Sequence, residues 1–235
     1  MNNMENLLHS ELFMLTLVVG VYLAALLLYK KTRLPLLHSL LVSVLAIILI
    51  LKVFEIEYEH FREGSRLIHF MLGPSVVALG YVLYEQMQYI RGNVVSILTA
   101  VFVGAIVGIV SVIVIGKCMG ADTTLIATLQ PKSVTTPIAM DIAAKSGGIP
   151  SLTAVVVVVV GIFGSIAGPF VMKVLGIESR IAKGLALGAS SHGVGTAAAL
   201  QIGAVEGALS GLAIGLMGIM TAVLVPVIGF LISLF

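Results

Sequence analysis

The chain has 235 residues, 59% of them hydrophobic and 10% charged, with a mean hydropathy of +1.16. Soluble domains carry about 25% charged residues, so composition points to a membrane and away from a free globular enzyme. A net charge of +2 without a long Lys/Arg run excludes a phosphate-tracking nucleic-acid binder, and Cys118, the single cysteine, excludes an intrachain disulfide.

At ~20 residues per crossing, the length suits a bundle of six to eight spans. The opening MNNMENLLHS has no basic n-region, and no A-x-A site follows the first apolar run. Leu12 to Tyr29 therefore reads as a retained span stopped by Lys30, Lys31 and Arg33. Leu34 to Leu51 follows, with Pro35 suited to a first helical turn. The loop KVFEIEYEHFREGSR, with Glu55, Glu57, Glu59 and Glu63, reads as a solvated face. Leu67 to Tyr84, Val94 to Gly116, Ser146 to Met172 and Gly207 to Phe235 complete six spans. The run Val155 to Val160 is β-branched, but a lone strand cannot satisfy its backbone in lipid, so helix is expected. With Trp absent, an interfacial aromatic belt falls to residues such as Tyr22, Tyr29, Tyr81 and Tyr84.

Two segments, 121–145 and 177–205, are apolar but interrupted. The first holds LQPKSVTTPIAM, Leu129 to Met140, and the second GASSHGVGT, Gly188 to Thr196. Pro131 and Pro137 break helix by removing donors and restricting the residues before them; Gly188 and Gly195 are the matching breaks in the second segment. Non-helical backbone at membrane depth survives only when buried in protein or lining a wet cavity.

The surroundings repeat. Gly148, Ser151 and Ala154 align in spacing with Gly207, Ser210 and Ala213, and Ser133 aligns with Ser191. This pattern predicts two related units, with residues 1–92 a three-helix scaffold and 93–235 the repeat-containing transport region. If both broken segments are re-entrant hairpins, the units are inverted. The positive-inside rule favours that arrangement, since it gathers Lys30, Lys31, Arg33, Arg91, Lys173, Arg180 and Lys183 on one side. The expected fold is an all-α polytopic membrane protein with about six spans and two broken or re-entrant helical segments.

Helix N-termini attract anions, and Lys132 adds a formal charge beside the first break. Lys132, Ser133, Thr135 and Thr136 are thus candidate carboxylate ligands, with Thr135 or Thr136 capping a helix that opens at Pro137. Ser190, Ser191, His192, Gly193 and Thr196 are candidates for the opposing wall. His192 and Glu206 are candidates for proton coupling, since histidine titrates near neutrality and an intramembrane acid is costly unless functional or paired. Asp141 is placed to pair with Lys145 one turn on. Glycines spaced by four, at 203, 207, 211 and 215, with Gly104/Gly108, Gly164/Gly168 and Gly184/Gly188, suggest close helix packing and permit a homodimer. Histidines 9, 38, 60, 69 and 192 form no metal-ligand pair, and neither a nucleophile elbow nor a P-loop is present, so no metal, cofactor or catalytic residue is expected.

The blocks LQPKSVTTPIAM, GGIPSLTAV, RIAKGLALGASSHGVGTAAAL and EGALSGLAIGLMGIMTA occur in the order seen in the LrgB/CidB family of membrane proteins. RLPLLHSLLVS and FMLGPSVVALGYVLY extend the resemblance to the N-terminal half; after Thr196 and Ala197 the chain departs from the family pattern. The family includes the LrgB-like half of the plastid glycolate/glycerate translocator. The resemblance implies a multi-pass protein of the bacterial cytoplasmic membrane. It also implies one of two roles: a carrier of short carboxylates such as pyruvate, glycolate or glycerate, or a holin/antiholin-like regulator of murein hydrolases and autolysis acting with a small LrgA/CidA-type partner.

Overall fold

The computed structural model describes residues 10–32, 34 and 37–233; the expected features at His9, Arg33 and Pro35 lie outside these residues. All regular structure among the described residues is helical, the valine run included, as the need to satisfy every backbone group in hydrocarbon requires. Two compact units form, one ending at Ala78 and the other running from Leu79.

In the first unit α1 (Glu11–Thr32) packs on α2 (Ser39–Val53) and on the short α3 (Tyr58–Gly64) and α4 (Arg66–Phe70). Met14 is fully buried against Gly64, where an added Cβ would lie 2.5 Å from its Cγ. The acidic loop is exposed as expected, with Glu59 paired to Arg62. Tyr22 falls midway along α1 and so lies away from any interfacial belt.

The span expected from Leu67 to Tyr84 divides at Met71 into α4 and α5 (Leu72–Glu85). Pro74 accounts for the division, because its ring conflicts with the carbonyl four residues back, at Phe70, where α4 ends. The 14 residues of α5 reach about 21 Å at 1.5 Å per residue, short of the ~30 Å hydrocarbon core. Among the described residues, four helices are long and apolar enough to cross: α1, α7 (Val94–Cys118), α10 (Pro150–Val174) and α12 (Ala204–Ser233); α2 is a shorter apolar helix.

The second unit continues with α6 (Met87–Arg91), α7, α8 (Thr123–Leu129), α9 (Thr136–Lys145), α10, α11 (Arg180–Ile202) and α12. Its core is an every-fourth-residue stripe on α7, Ile97, Val101, Ala105, Ile109 and Ile113, set against Leu209, Ala213 and Met217 of α12.

Both interrupted segments turn back. In the first, α8 runs inward and α9 returns, so that Lys145 and Ser146 line one cavity with Thr123, Gln130 and Lys117. The end of α8 is tied to the start of α10: Ile149 N–H donates to Thr128 Oγ1 (2.9 Å) and Thr153 Oγ1 donates to the Thr128 carbonyl (2.9 Å). In the second, Gly184 packs on Glu206 and Gly188 on Ser210, so the ingoing leg of α11 runs parallel to α12. Gly207 packs on Leu200 and Thr196 bonds Ser210, so the returning leg runs antiparallel to it. The two legs of α11 are therefore a hairpin, with Leu187 and Ala199 packed together between them.

Because α7 ends where the first hairpin is rooted, α10 must carry the chain to the opposite face, where the second hairpin is rooted. α12 then returns, and its Val225, Pro226 and Gly229 reach the cavity at the root of the first hairpin. The two repeats are inverted.

The glycines divide by role. At Gly188 an added Cβ would collide with the Ser210 carbonyl and lie 2.9 Å from Ala213 Cβ; at Gly215 it would meet nothing within 4 Å. Close packing thus falls on Gly184 and Gly188 of α11 and on Gly207 of the 203–215 series, while Gly215 is open. Gly188→Ala is therefore expected to lower stability by about 1–3 kcal/mol through overpacking, with Gly215→Ala near neutral. Unfolding midpoints of the purified protein test this, and equal losses at the two sites would refute it.

Candidate site between opposed hairpin tips

The tip of the first hairpin runs from Pro131 to Thr135, beyond Gln130, the C-cap of α8. Pro131 and Val134 are buried, and two turn bonds, Lys132 N–H to Leu129 O and Val134 N–H to Pro131 O, shape the loop. These bonds replace part of the helical ladder that Pro131 cannot continue. Thr135 has extended backbone (φ −63°, ψ 148°) and takes the N-cap position of α9, with Pro137 in the first turn. Its hydroxyl does not cap, contrary to expectation, and so leaves the first N–H groups of α9 uncovered by the N-cap side chain. Thr135 and Thr136 are half-buried. Lys132 Nζ donates to Ser133 Oγ at 3.2 Å.

Lys132 and Ser133 face a cavity of about 430 Å³. Gly104, Val107 and Gly108, at the middle of α7, form one wall, and Leu185, Ala189 and Ser190, on the ingoing leg of the second hairpin, form another. Neither Gly104 nor Gly108 would meet an atom within 4 Å if given a Cβ. These glycines create room rather than contact. Among the described residues, Lys132 is the one charged residue lining the cavity.

The second hairpin breaks at His192, which has φ 42° and ψ −130°. That region is usually left to glycine, at the first corner of a type II′ turn. Gly188 and Gly195, expected as the breaks, sit in the helical legs and serve packing: Gly188 on Ser210, Gly195 on the Leu187 carbonyl. His192 is buried, and its Nε2 lies 3.0 Å from the Val157 carbonyl of α10. A carbonyl only accepts, so Nε2 carries the proton and donates. Gly161 admits the ring, since a Cβ there would fall 2.7 Å from Nε2, and Gly164 admits Ser191, whose Oγ it would otherwise strike.

The hydroxyls form a directed chain. Thr196 Oγ1 donates to the His192 carbonyl at 3.1 Å, so its contact with Ser210 Oγ at 2.8 Å is one in which Ser210 donates. Ser191 Oγ lies 2.9 Å from Ser190 Oγ.

Of the residues expected to share one site, Lys132, Ser133 and Ser190 line the cavity together. Ser191, His192 and Thr196 instead bind the second hairpin to α10 and α12, and Gly193 is exposed. Glu206 is buried in the first turn of α12 beside Gly184, about two helical turns along the leg from His192, so the two form no direct relay. Gly161, Val157 and Ser210 are the partners that sequence reasoning did not single out for this role. Only Ser210 had left a signal, as part of the repeated G-x-x-S-x-x-A start.

This is a polytopic membrane protein built on an inverted pair of re-entrant helical hairpins whose tips reach mid-depth. Residues 18–231 match the LrgB-like family, and the chain belongs to it. Among its relatives, YxaC of Bacillus subtilis is 38% identical over 94% of this chain and 96% of its own length. YwbG of the same organism is 36% identical over 90% and 94%. The "Holin-like protein CidB" of Staphylococcus aureus is 34% identical over 93% and 96%. No solved structure matches. The chain is a multi-pass bacterial membrane protein of the LrgB/CidB class.

The tether and the strain at His192 separate by substitution. His192→Ala loses the bond to Val157 and keeps the unfavourable backbone; His192→Gly loses the same bond but relieves strain of order 1–3 kcal/mol. Stability is expected to fall in the order wild type, Gly, Ala in thermal unfolding of the purified protein. An alanine variant as stable as wild type would remove the tether from the account.

Proposed function

We propose that this protein carries small monocarboxylates of the pyruvate, glycolate or glycerate class across the membrane by alternating access. The observation that supports the reading is Lys132, a lone cation lining a mid-depth cavity between hairpins rooted on opposite faces. A cavity of about 430 Å³ lies within the range of small-molecule sites. One ammonium group amid walls of Ala, Val, Leu and Met suits an acid with a single carboxylate and a small body. Ser133 and Ser190 are placed to meet a 2-oxo or 2-hydroxy group. Thr135, Thr136 and the first N–H groups of α9 add donors from the helix N-terminus, whose dipole favours an anion.

In this reading residues 93–235 transport and 1–92 serve as scaffold. Ser191, His192, Gly193 and Thr196 hold the second hairpin in place, and His192 is a tether rather than a proton carrier. Inverted repeats support alternating access because each hairpin presents the same kind of barrier to its own face. The holin-like name of the Staphylococcus aureus relative favours a second reading, a holin-like membrane protein, for which the family resemblance would supply a role in autolysis and an LrgA/CidA-type partner. Such a protein needs no small-molecule site.

Counterflow of labelled pyruvate, glycolate and lactate into liposomes decides between the two. Saturable uptake is expected. Losing a charge-assisted hydrogen bond of ~1.5–3 kcal/mol predicts that Lys132→Ala weakens substrate affinity roughly ten- to a hundredfold. Release of a large trapped dye with no saturable uptake would favour the holin-like reading.

A further inference from the structure

Besides the central cavity, the second unit holds a cavity at the root of each hairpin. The first, about 430 Å³, lies among the end of α7, the base of the first hairpin and the late turns of α12, and is lined by Lys117, Gln130 and Lys145. The second, about 300 Å³, lies at the end of α10 and the base of the second hairpin, and is lined by Lys173, Glu178, Lys183 and Ile202. The inverted repeat relates them. In each, the long helix before the hairpin sets a lysine in its last turn, Lys117 in α7 and Lys173 in α10.

Charge leans the same way at both. Lys145 is bonded to Asp141 at 2.6 Å, which leaves Lys117 as the unpaired cation among the described residues of the first lining. Asp122 lies outside that lining, its carboxylate accepting from Leu125 N–H at 2.7 Å. Among the described residues lining the second root, Glu178 is the single acid against two lysines. With Lys145 set against Asp141, each lining thus carries one excess positive charge.

The first root also adjoins the central cavity along the chain. Gln130 lines the outer space and Lys132 the inner one, with buried Pro131 between them. We infer that the two root cavities are aqueous anion vestibules, one on each membrane face, that gather small carboxylates ahead of the site at Lys132. The inference rests on the carrier reading for its ligand, and on the cavities alone for its geometry. The ligand chemistry is a singly charged oxyanion group, which a soluble carboxylate or an anionic lipid headgroup could supply, so the test separates the two.

Single cysteines replace Gln130 or Ile202 in full-length protein that carries Cys118→Ser, reconstituted in liposomes with or without phosphatidylglycerol. Membrane-impermeant methanethiosulfonates bearing a sulfonate or a trimethylammonium group then compete for each thiol. Labelling of the two positions from opposite faces is expected, with Gln130→Cys reached from outside and Ile202→Cys from inside by the positive-inside rule. The sulfonate should react about three- to tenfold faster, a focusing effect of the lysine rim. Lys117→Gln should erase that preference at position 130, and millimolar pyruvate should slow the labelling.

Failure of both reagents at either position, or labelling of both positions from one face, overturns the inference. So does labelling that emerges only when phosphatidylglycerol is left out, which would make the cavity a lipid site. Protection by pyruvate without counterflow would sink the carrier reading and leave the vestibules standing. Counterflow with both thiols inert would do the reverse.

Discussion

The structure depends on one constraint: in hydrocarbon, a backbone N–H or C=O without a partner costs several kcal/mol. Ending a helix at mid-depth is therefore permitted only where something else meets its terminal groups. At the first tip, the turn bonds of Lys132 and Val134 and the packing of Pro131 meet part of that need. At the second, Thr196 Oγ1 takes up the His192 carbonyl, and Ser210 completes the chain of hydroxyls. The tips differ in what they leave open. The second is closed by its neighbours, while the first keeps α9 N–H groups without a side-chain cap beside a cation and a cavity.

Close approach follows from that constraint. Hydrophobicity does not drive helices together in lipid, so packing of small residues must hold them. The ingoing leg of the second hairpin lies on α12 because Gly184 and Gly188 lack side chains, and its tip enters α10 because Gly161 and Gly164 lack them too. Gly104 and Gly108 show the opposite use of the same residue. They face the cavity, with nothing near enough to touch an added Cβ.

Much of this was legible in the sequence, for physical reasons that differ from place to place. The long apolar runs of α7, α10 and α12 had no alternative to crossing. LQPKSVTTPIAM had to be broken, because two prolines within seven residues cannot sit inside an intact helix. The matching Gly/Ser/Ala spacing was enough to suggest a repeat. The return of each segment was favoured only by the distribution of positive charge, and the long-range contacts that fix it, such as Thr128 with Ile149 and Gly188 with Ser210, were not legible. The site of the second break was misplaced at Gly188 and Gly195 because glycine is the usual tenant of positive φ. Here His192 holds that conformation, and its bond to Val157 offsets the strain. The division at Met71 was also missed; Pro74 marks it, but hydropathy alone does not see a proline at a helix's fourth-residue register.

The histidine and the lysine now divide between them roles that composition alone would have assigned to one site. An ionisable group at membrane depth is expensive unless it is paired or functional. His192 is paired: its ring is spent on a carbonyl and its backbone carbonyl on a threonine. Among the described residues, Lys132 has a neighbouring serine hydroxyl as its direct partner and no carboxylate lines its cavity. An acidic side chain in the lining would hold that charge permanently, and none is present among the described residues. An arriving anion would be its partner instead, which is the feature of the lining that supports the carrier reading proposed above.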